Sequence, residues 1–502
     1  MVSAYLADAL RDPTGELQEL YTQSPFDNFP AEVAKHFSRV FERDEAFKQI
    51  PPLNLQNPPG KHDPRSLVRF RAMVQDPSSS SEMYLARTKS GKLSGWGIEV
   101  DDGDHHDVEV ENLRECTVLW AISVPGESEW VSKALDVSEA AIYDTQVGQN
   151  LKATDIVTFV GILTNELMSL ESEDESLVVP TLHVLFLAAP KHCSIPALYP
   201  SSTSQVRQQL IDWIAEEALG GDLNAAEWTL LLCLSKVQKR TPPLLQPSMT
   251  LSHFPLPPSA SEGSPSTSSA PIMQKVLSIL LPLVRTLPLS IDLLNRVAFE
   301  PESVNEDIHS GALQLPQGSV LLVTEHGVQE GKLVERGIMN VRALQDVMVS
   351  QHLAYSFPFS RFTFPTDITC IVTTEGSKSA FFKTDITVPL TITTTTNDTP
   401  NLYKPKHAIR LPSDSQLAAF RNLILGARTA KVEVTDTIST YIQQDFVSDR
   451  QRDKSITSED LIRRMTIARL YALSCHSAEL TADIWERAKA LDEKRKTSLA
   501  QV

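Results

Sequence analysis

Gly220-Gly221-Asp222-Leu223-Asn224-Ala225-Ala226-Glu227-Trp228-Thr229-Leu230-Leu231 is the stretch on which the reading of this chain turns. A phosphate-binding loop runs Gly-x-x-x-x-Gly-Lys-Ser/Thr: backbone amides and a helix N-terminus cradle the phosphates, the lysine reaches their outer oxygens and the hydroxyl holds magnesium. Counting from Gly221-Asp222, the second loop glycine falls on Asn224 or Ala225, the lysine on Glu227 and the hydroxyl on Trp228. The frame of such a loop is kept and its chemistry is lost, because a carboxylate ~4 Å from a phosphate costs ~1 to 4 kcal/mol. The same residues admit a plainer reading. Gly220-Gly221 then caps one helix, and Asp222 opens an apolar helix from Leu223 to Val237. This stretch leaves both readings open.

The chain has 502 residues, of which 41% are hydrophobic. That supplies several buried cores, and ~100 to 200 residues per domain suggests about three domains. A net charge of −17 argues against a protein that coats nucleic acid, since phosphate binding needs clustered Lys and Arg. The same charge is compatible with docking onto a basic partner, although an acidic surface is more often just a solubility device. Cys116, Cys193, Cys233, Cys370 and Cys475 are scattered with no Cys-x-x-Cys pair, and read as reduced thiols of an intracellular protein. His105-His106 beside Asp104 and Asp107 is an acidic loop without a third implied ligand, so neither metal nor cofactor is expected. The N-terminus has no basic start and no apolar stretch of the leader type. The most apolar run, Val276 to Leu294, is broken by Pro282, Arg285, Pro288 and Asp292, and is read as buried helices rather than a bilayer span. Nucleus or cytosol is the expected residence. Lys494-Arg495-Lys496 reads as a basic helix end opposing the macrodipole.

Residues 1–50 carry apolar side chains mostly at helical spacing, as in Leu6, Leu10, Leu17, Leu20 and then Val33, Phe37, Val40, Phe41. Prolines at 51–52 and 58–59 end that texture. From Ser66 to His192 the pattern is mostly strand: Leu67 to Gln75, a turn over Ser78 to Glu82, Met83 to Leu85, Thr117 to Ile122, Asp155 to Leu163 and Thr181 to Leu187. About five strands with long connections suit an OB-like β-barrel. Arg69, Phe70 and Arg71 resemble a stacking surface, but acidic loops at Glu99 to Asp107 and Glu171 to Glu175 favour protein over nucleic acid as the partner. Residues 203–240 form two helices. A Pro- and Ser-rich stretch, 241–271, reads as a mobile linker that buries no core. Beyond it the pattern is α/β, with apolar helices over 272–298 and two short apolar strands, Ser319 to Glu325 and Ile368 to Glu375, whose polar C-terminal ends suit a ligand crevice. Thr391 to Thr399 reads as a connector. The last segment is helical, with Thr457 and Asp460 as an approximate capping box and Thr481 opening the final helix.

In order along the chain, these pieces resemble the MCM-binding protein family of eukaryotic replication, and behind it the minichromosome maintenance helicase subunits. The likeness rests on Leu67-Val68-Arg69-Phe70-Arg71-Ala72-Met73-Val74-Gln75-Asp76, Val124-Pro125-Gly126-Glu127-Ser128-Glu129-Trp130-Val131, Ser310-Gly311-Ala312-Leu313-Gln314-Leu315-Pro316, Ile456-Thr457-Ser458-Glu459-Asp460-Leu461 and Trp485-Glu486-Arg487-Ala488-Lys489. It spans residues 67 to 489, and Val-Pro-Gly-Glu-Ser-x-Trp-Val is its most specific motif. A long insertion between Lys133 and Asp155 in animal members is absent here, which implies a dispensable loop.

The resemblance implies a multidomain α+β and α/β fold. N-terminal helices (1–50) and an OB-like β-barrel (51–195) precede a degenerate AAA-type α/β module (203–240 with 272–425) and a C-terminal helical lid (426–502). Against a helicase subunit, Thr324-Glu325 stands where an Asp-Glu would hold magnesium and activate water, and Thr374 or Glu375 stands where an Asn would sense the γ-phosphate. Glu459 falls at the position of a lid arginine. Ser360-Arg361-Phe362 imitates an arginine finger but precedes its expected place, and is taken as coincidence. The degenerate nucleotide site so defined is Gly221, Asp222, Glu227, Trp228, Thr324, Glu325 and Glu459, with no catalytic residue among them. The implied function is that of a non-enzymatic nuclear partner of MCM helicase subunits that takes the place of one subunit and acts as chaperone and unloading factor. The alternatives are a single-stranded DNA-binding OB protein and an atypical ATPase.

Overall fold

Apolar residues at three- and four-residue spacings give the first fifty residues their helices in the computed structural model: α1 (Val2–Arg11), α2 (Pro13–Gln23), α3 (Phe29–Val40) and α4 (Asp44–Lys48). The structure describes residues 2–23, 28–98, 109–131, 141–143, 151–169, 176–189, 203–241, 243–258, 270–304, 307–392 and 402–501. The His105-His106 pair, the acidic loop at 171–175, Cys193 and the Ser/Thr-rich stretch at 259–269 lie outside those residues.

The chain forms two units, the first being Met1–Pro125 with Ser132–Cys193. Its strands are β1 (Pro52–Leu53), β2 (Leu67–Leu85), β3 (Leu113–Ser123), β4 (Ala141–Tyr143), β5 (Ile156–Ser169) and β6 (Ser176–Ala189). β2 pairs antiparallel with β3 on one side and β5 on the other, β5 pairs with β6, and β6 with β4; β1 runs parallel to β2. Among the described residues no pairing of β3 with β4 closes this sheet on itself. The turn expected over Ser78 to Glu82 is replaced by continuous strand: β2 keeps its pairing with β3 through register shifts at Val74/Asp76 and Asp76/Ser80, because bulges absorb a bend without ending a strand. The boundary expected at residue 50 is also corrected. Leu17, Val33, Phe37, Phe41 and Ile50 share one core with Leu67, Val160, Ile162 and Phe186, since short amphipathic helices need an apolar face to cover.

The second unit comprises Gly126–Val131 and Ser194–Val502. In chain order it holds α5 (Thr203–Ala218), α6 (Leu223–Leu234), β7 (Lys239–Arg240), β8 (Pro243–Leu244), β9 (Met249–Ser252), α7 (Met273–Leu280), β10 (Val284–Pro288), α8 (Ile291–Arg296), β11 (Glu302–Val304) and β12 (Asp307–His309). These are followed by β13 (Ser319–Thr324), α9 (Glu335–Ser350), β14 (His352–Ser356), β15 (Arg361–Pro365), β16 (Ile368–Thr373) and β17 (Ile386–Pro389). Helices α10 (Asp414–Thr429), α11 (Asp436–Arg452), α12 (Ser458–Ser474) and α13 (Ala482–Gln501) complete the chain.

Its main sheet is parallel throughout, in the order β10-β13-β16-β9-β17. Two expectations fail here. The linker at 241–271 contains β9, next to the centre of the sheet, with Met249, Leu251 and Phe254 wholly buried. The helices expected over 272–298 are interrupted by β10 at the sheet edge, where Pro282 and Pro288 bracket too few residues for a helix and an edge strand tolerates proline. A smaller sheet, β12-β11-β14-β15, stands apart from the main one. The boundary drawn at 425/426 falls inside α10, and α10 to α13 share the core of α5, α6, β9 and β17. The capping box at Thr457 is present: the Asp460 amide donates to Thr457 Oγ1 and the Thr457 amide to the Asp460 carboxylate.

Candidate functional site at the C-terminal ends of the parallel strands

Parallel sheets bind ligands beyond the carboxyl ends of their strands. A phosphate loop follows a strand and opens the next helix, so its amides face the ligand. The first strand of the main sheet in chain order is β9, and the helix that follows it is α7. The place for a phosphate loop is therefore residues 253–272. That stretch contains one glycine, Gly263, five prolines and neither lysine nor arginine.

The described part of this crest is closed by its own chain. Just after β9 the His253 amide donates to the Gly376 carbonyl at 3.2 Å and the Phe254 amide to the Thr374 carbonyl at 2.9 Å. Amides that a phosphate loop leaves open are thus bonded to the end of β16, and His253 adopts a left-handed φ of 55° to do so. Phe254 turns its ring inward against His326, with centroids 5.4 Å apart, and against Tyr403 at 6.2 Å; His326 and Tyr403 are also 6.2 Å apart. The Tyr403 hydroxyl donates to the Pro255 carbonyl at 2.6 Å. His326 Nε2 lies 3.2 Å from Thr373 Oγ1, and burial pushes the imidazole down to about 4. The ring is therefore neutral at pH 7 and adds no positive charge.

Thr324 and Glu325 lie at this crest, as their place on β13 requires. Glu325 is buried, accepting 2.6 Å from Ser379 Oγ and 3.1 Å from the Ala380 amide. A carboxylate so held is a structural acceptor for the loop after β16. Thr374 bonds through its backbone to Leu251 and Phe254, while Glu375 is exposed. The hydrogen bonds of these crest groups go to hydroxyls, imidazole and backbone, none to lysine or arginine.

The remaining site residues stand elsewhere, and the phosphate-loop reading of Gly221 to Trp228 is overturned. α6 precedes the first strand of the sheet instead of following it. Gly220 and Gly221 have φ of 61° and 86°, the left-handed backbone of a helix C-terminus. Asp222 caps α6, accepting from the Ala225 amide at 3.0 Å and from both the amide and the hydroxyl of Thr391 at 2.7 Å. Glu227 receives 2.5 Å from Arg207. Trp228 is buried, with the Arg495 guanidinium 5.8 Å from its ring centre. Glu459 is exposed in the first turn of α12. Sequence reasoning missed Phe254, His326, Tyr403 and Ser379. Phe254, an aromatic residue directly ahead of Pro255 in a stretch otherwise rich in serine and proline, was the available signal for the first of them.

A cavity of about 480 Å³ beside α7 is lined by Gly126, Glu129, Lys275, Lys404 and Lys406. Lys275 and Lys406 both bond Glu129, at 3.0 and 3.1 Å, and hold its carboxyl down at about 2. Lys404 pairs with Glu217. Among the described residues no group of three or more His, Cys, Asp or Glu could hold a metal ion, and no helix is long and apolar enough to cross a membrane.

Comparison with known proteins adds the following. Residues 37–141 and 139–499 match a family described as mini-chromosome maintenance replisome factor. The chain is similar to the mini-chromosome maintenance complex-binding protein of Homo sapiens, 23% identical over 98% of both chains. Its likeness to the protein of that name from Arabidopsis thaliana is 23% over 93% of both. For that of Salmo salar it is 29% over 68% of this chain, which spans 56% of that relative.

Proposed function

Since this chain belongs to the mini-chromosome maintenance replisome factor family, we propose that it binds complexes of minichromosome maintenance helicase subunits without acting as an enzyme. It takes the place of one subunit and serves as chaperone and unloading factor during DNA replication in the nucleus. The observation that carries this reading is the closed crest: His253 and Phe254 bond to β16, and aromatic rings occupy the ground where a phosphate loop would open. In chain order the sheet runs second, third, fourth, first, fifth, and we read it as a degenerate AAA-type module. We read the first unit, whose strands run in the order β3-β2-β5-β6-β4 without a closing pair among the described residues, as an OB-like barrel used for protein contact, given the charge of −17.

Helicase subunits sandwich ATP between neighbours. A subunit look-alike that supplies no nucleotide makes an interface uncoupled from ATP, and so shifts rings toward open or monomeric species by mass action. Mixing the protein with purified subunits and following ring population by analytical ultracentrifugation, with hydrolysable ATP or without, tests this. Ring dissociation in both arms is expected; an unchanged ring population at saturating protein removes the reading. A calorimetric ATP titration separates the ATPase alternative, which requires micromolar affinity.

A further inference from the structure

We propose that the β14–β15 hairpin is a docking edge for an extended segment of a helicase subunit, which joins the small sheet as a further strand against β15. The inference deepens the proposed function and rests on it for the identity of the partner. Among the described residues β15 pairs with β14 alone, which leaves its outer edge open. Phe357 and Ser360 exchange amide–carbonyl bonds around the two-residue loop Pro358-Phe359. In an antiparallel ladder bonded pairs alternate, so Tyr355/Phe362 and Leu353/Phe364 are the next bonded pairs. The backbone amides and carbonyls of Arg361 and Thr363 therefore face outward. An edge of unpaired amides beside exposed apolar side chains is the form that strand addition uses, and proteins ordinarily blunt it.

The two faces of the edge say what kind of segment fits. On one face Phe362 is 56% exposed and Phe364 42%, and at the tip of the hairpin Phe359 is 101% exposed. Phe364 is fixed 4.5 Å from the buried Tyr355 ring and Phe362 5.6 Å from Phe357, so the rings form a pre-ordered ladder in place of a loose cluster. On the other face Arg361 and Thr363 line a cavity of about 420 Å³ with Glu300, Asp346 and Ser350. Arg361 is already paired with Glu300, while no ion pair reaches Asp346 among the described residues. The segment that fits has apolar residues at alternate positions, to lie on the phenylalanines, and a lysine or arginine between them, to face Asp346. Single-stranded nucleic acid also stacks on aromatic rings, but it requires free cations along the strand, and the one arginine here is engaged.

The test uses the full-length protein and an assembled, purified helicase complex on a biosensor surface. Phe359→Ser/Phe362→Ser is expected to weaken binding about tenfold or more, in the range of an aromatic anchor. Thr363→Pro deletes an outward amide and no bond to β14, and is expected to weaken binding about fivefold. Phe359→Ser alone, at a ring with no buried surface, keeps the test valid if another variant melts early by circular dichroism. Wild type that binds while all three variants bind within twofold of it overturns this inference and leaves the proposed function standing; wild type that fails to bind removes both. Weakening by the phenylalanine variants with Thr363→Pro unchanged overturns strand addition. A labelled oligothymidine whose binding is lost in the phenylalanine variants, with complex binding intact, assigns the hairpin to nucleic acid and also overturns it.

Discussion

Glu227 meets a cation instead of repelling an anion. Its carboxylate accepts from Arg207, whose guanidinium also donates 2.8 Å to Ser474 Oγ and lies 4.6 Å from the centre of the Tyr471 ring. Glu227→Lys, which would write the missing lysine back into the Gly221 frame, places two cations together in a largely buried site. It is expected to cost about 3 kcal/mol in denaturant unfolding and to create no ATP affinity by calorimetry; a micromolar site in that variant would overturn the placement of α6 ahead of the first strand of the sheet. His326 carries a pH dependence. Burial holds its pKa at about 4, below the usual 6.5, so between those values the unfolded chain binds the proton more tightly and stability falls as pH drops. The contribution is whole above pH ~6.5 and is lost toward pH ~4. The full difference is worth ~3 kcal/mol, trimmed to ~2 by the water that still reaches the ring. Comparing unfolding of wild type and His326→Asn at pH 7 and pH 4.5 checks it: the variant should lose less on acidification, and an equal loss would place the titration elsewhere.

Among the elements, β9 decides how the second unit is understood. Leu251 is wholly buried between β16 and β17, while Leu256, five residues on, is 43% exposed. Leu251→Ala is expected to cost about 3 kcal/mol and Leu256→Ala under about 0.5 kcal/mol, measured by chemical denaturation; similar costs would mean that residues 249–252 are not a core strand. This element was illegible in the sequence for a physical reason. Four residues, Met249-Thr250-Leu251-Ser252, are too few to show a period, and the prolines around them dominate any window of composition. By contrast β13 and β16 were legible, because each is a run of apolar residues ended by polar ones, as burial on both faces demands. Helix ends were legible where a cap is local, as at Thr457 with Asp460 and at Asp222 with Ala225. The crest was half legible. Thr324 and Glu325 follow from the end of β13, whereas Tyr403 joins Phe254 and His326 only through tertiary packing, which no spacing in the chain encodes.

On the scale of the whole molecule, the path of the chain gives Val-Pro-Gly-Glu-Ser-Glu-Trp-Val, residues 124–131, a structural task. Having built most of the first unit, the chain contributes residues Gly126–Val131 to the second and then returns. There the Gly126 carbonyl accepts from the Val284 amide at 2.8 Å, the Ser128 amide donates to the Pro282 carbonyl at 2.9 Å, and Ser128 Oγ donates to the Leu281 carbonyl at 2.6 Å. Trp130 Nε1 donates to the Ser278 carbonyl at 3.0 Å, and the Arg421 guanidinium lies 4.1 Å from the centre of its ring. Gly126 has φ of 74°, and a Cβ there would lie 2.8 Å from the Val284 carbonyl oxygen, so only glycine lets the strand approach. A fragment of residues 194–502 lacks this segment and leaves the edge of β10 and the face of Arg421 open. Taking about 1 kcal/mol for each of the bonds lost and ~0.5 to 1 kcal/mol for the cation–π contact, less some rescue by water, the fragment should be about 3 kcal/mol less stable than the same unit in the full chain. A peptide of residues 124–133 supplied in trans should restore part of that loss, but only near millimolar concentration, because the intact chain holds the segment at that effective concentration through its linkage. Urea unfolding followed by far-ultraviolet circular dichroism, with the peptide titrated into the fragment, makes the measurement. Gly126→Ala in the full chain should reproduce a share of the loss. A fragment as stable as the full chain and indifferent to the peptide would mean that these six residues only pass by the second unit and form no part of it.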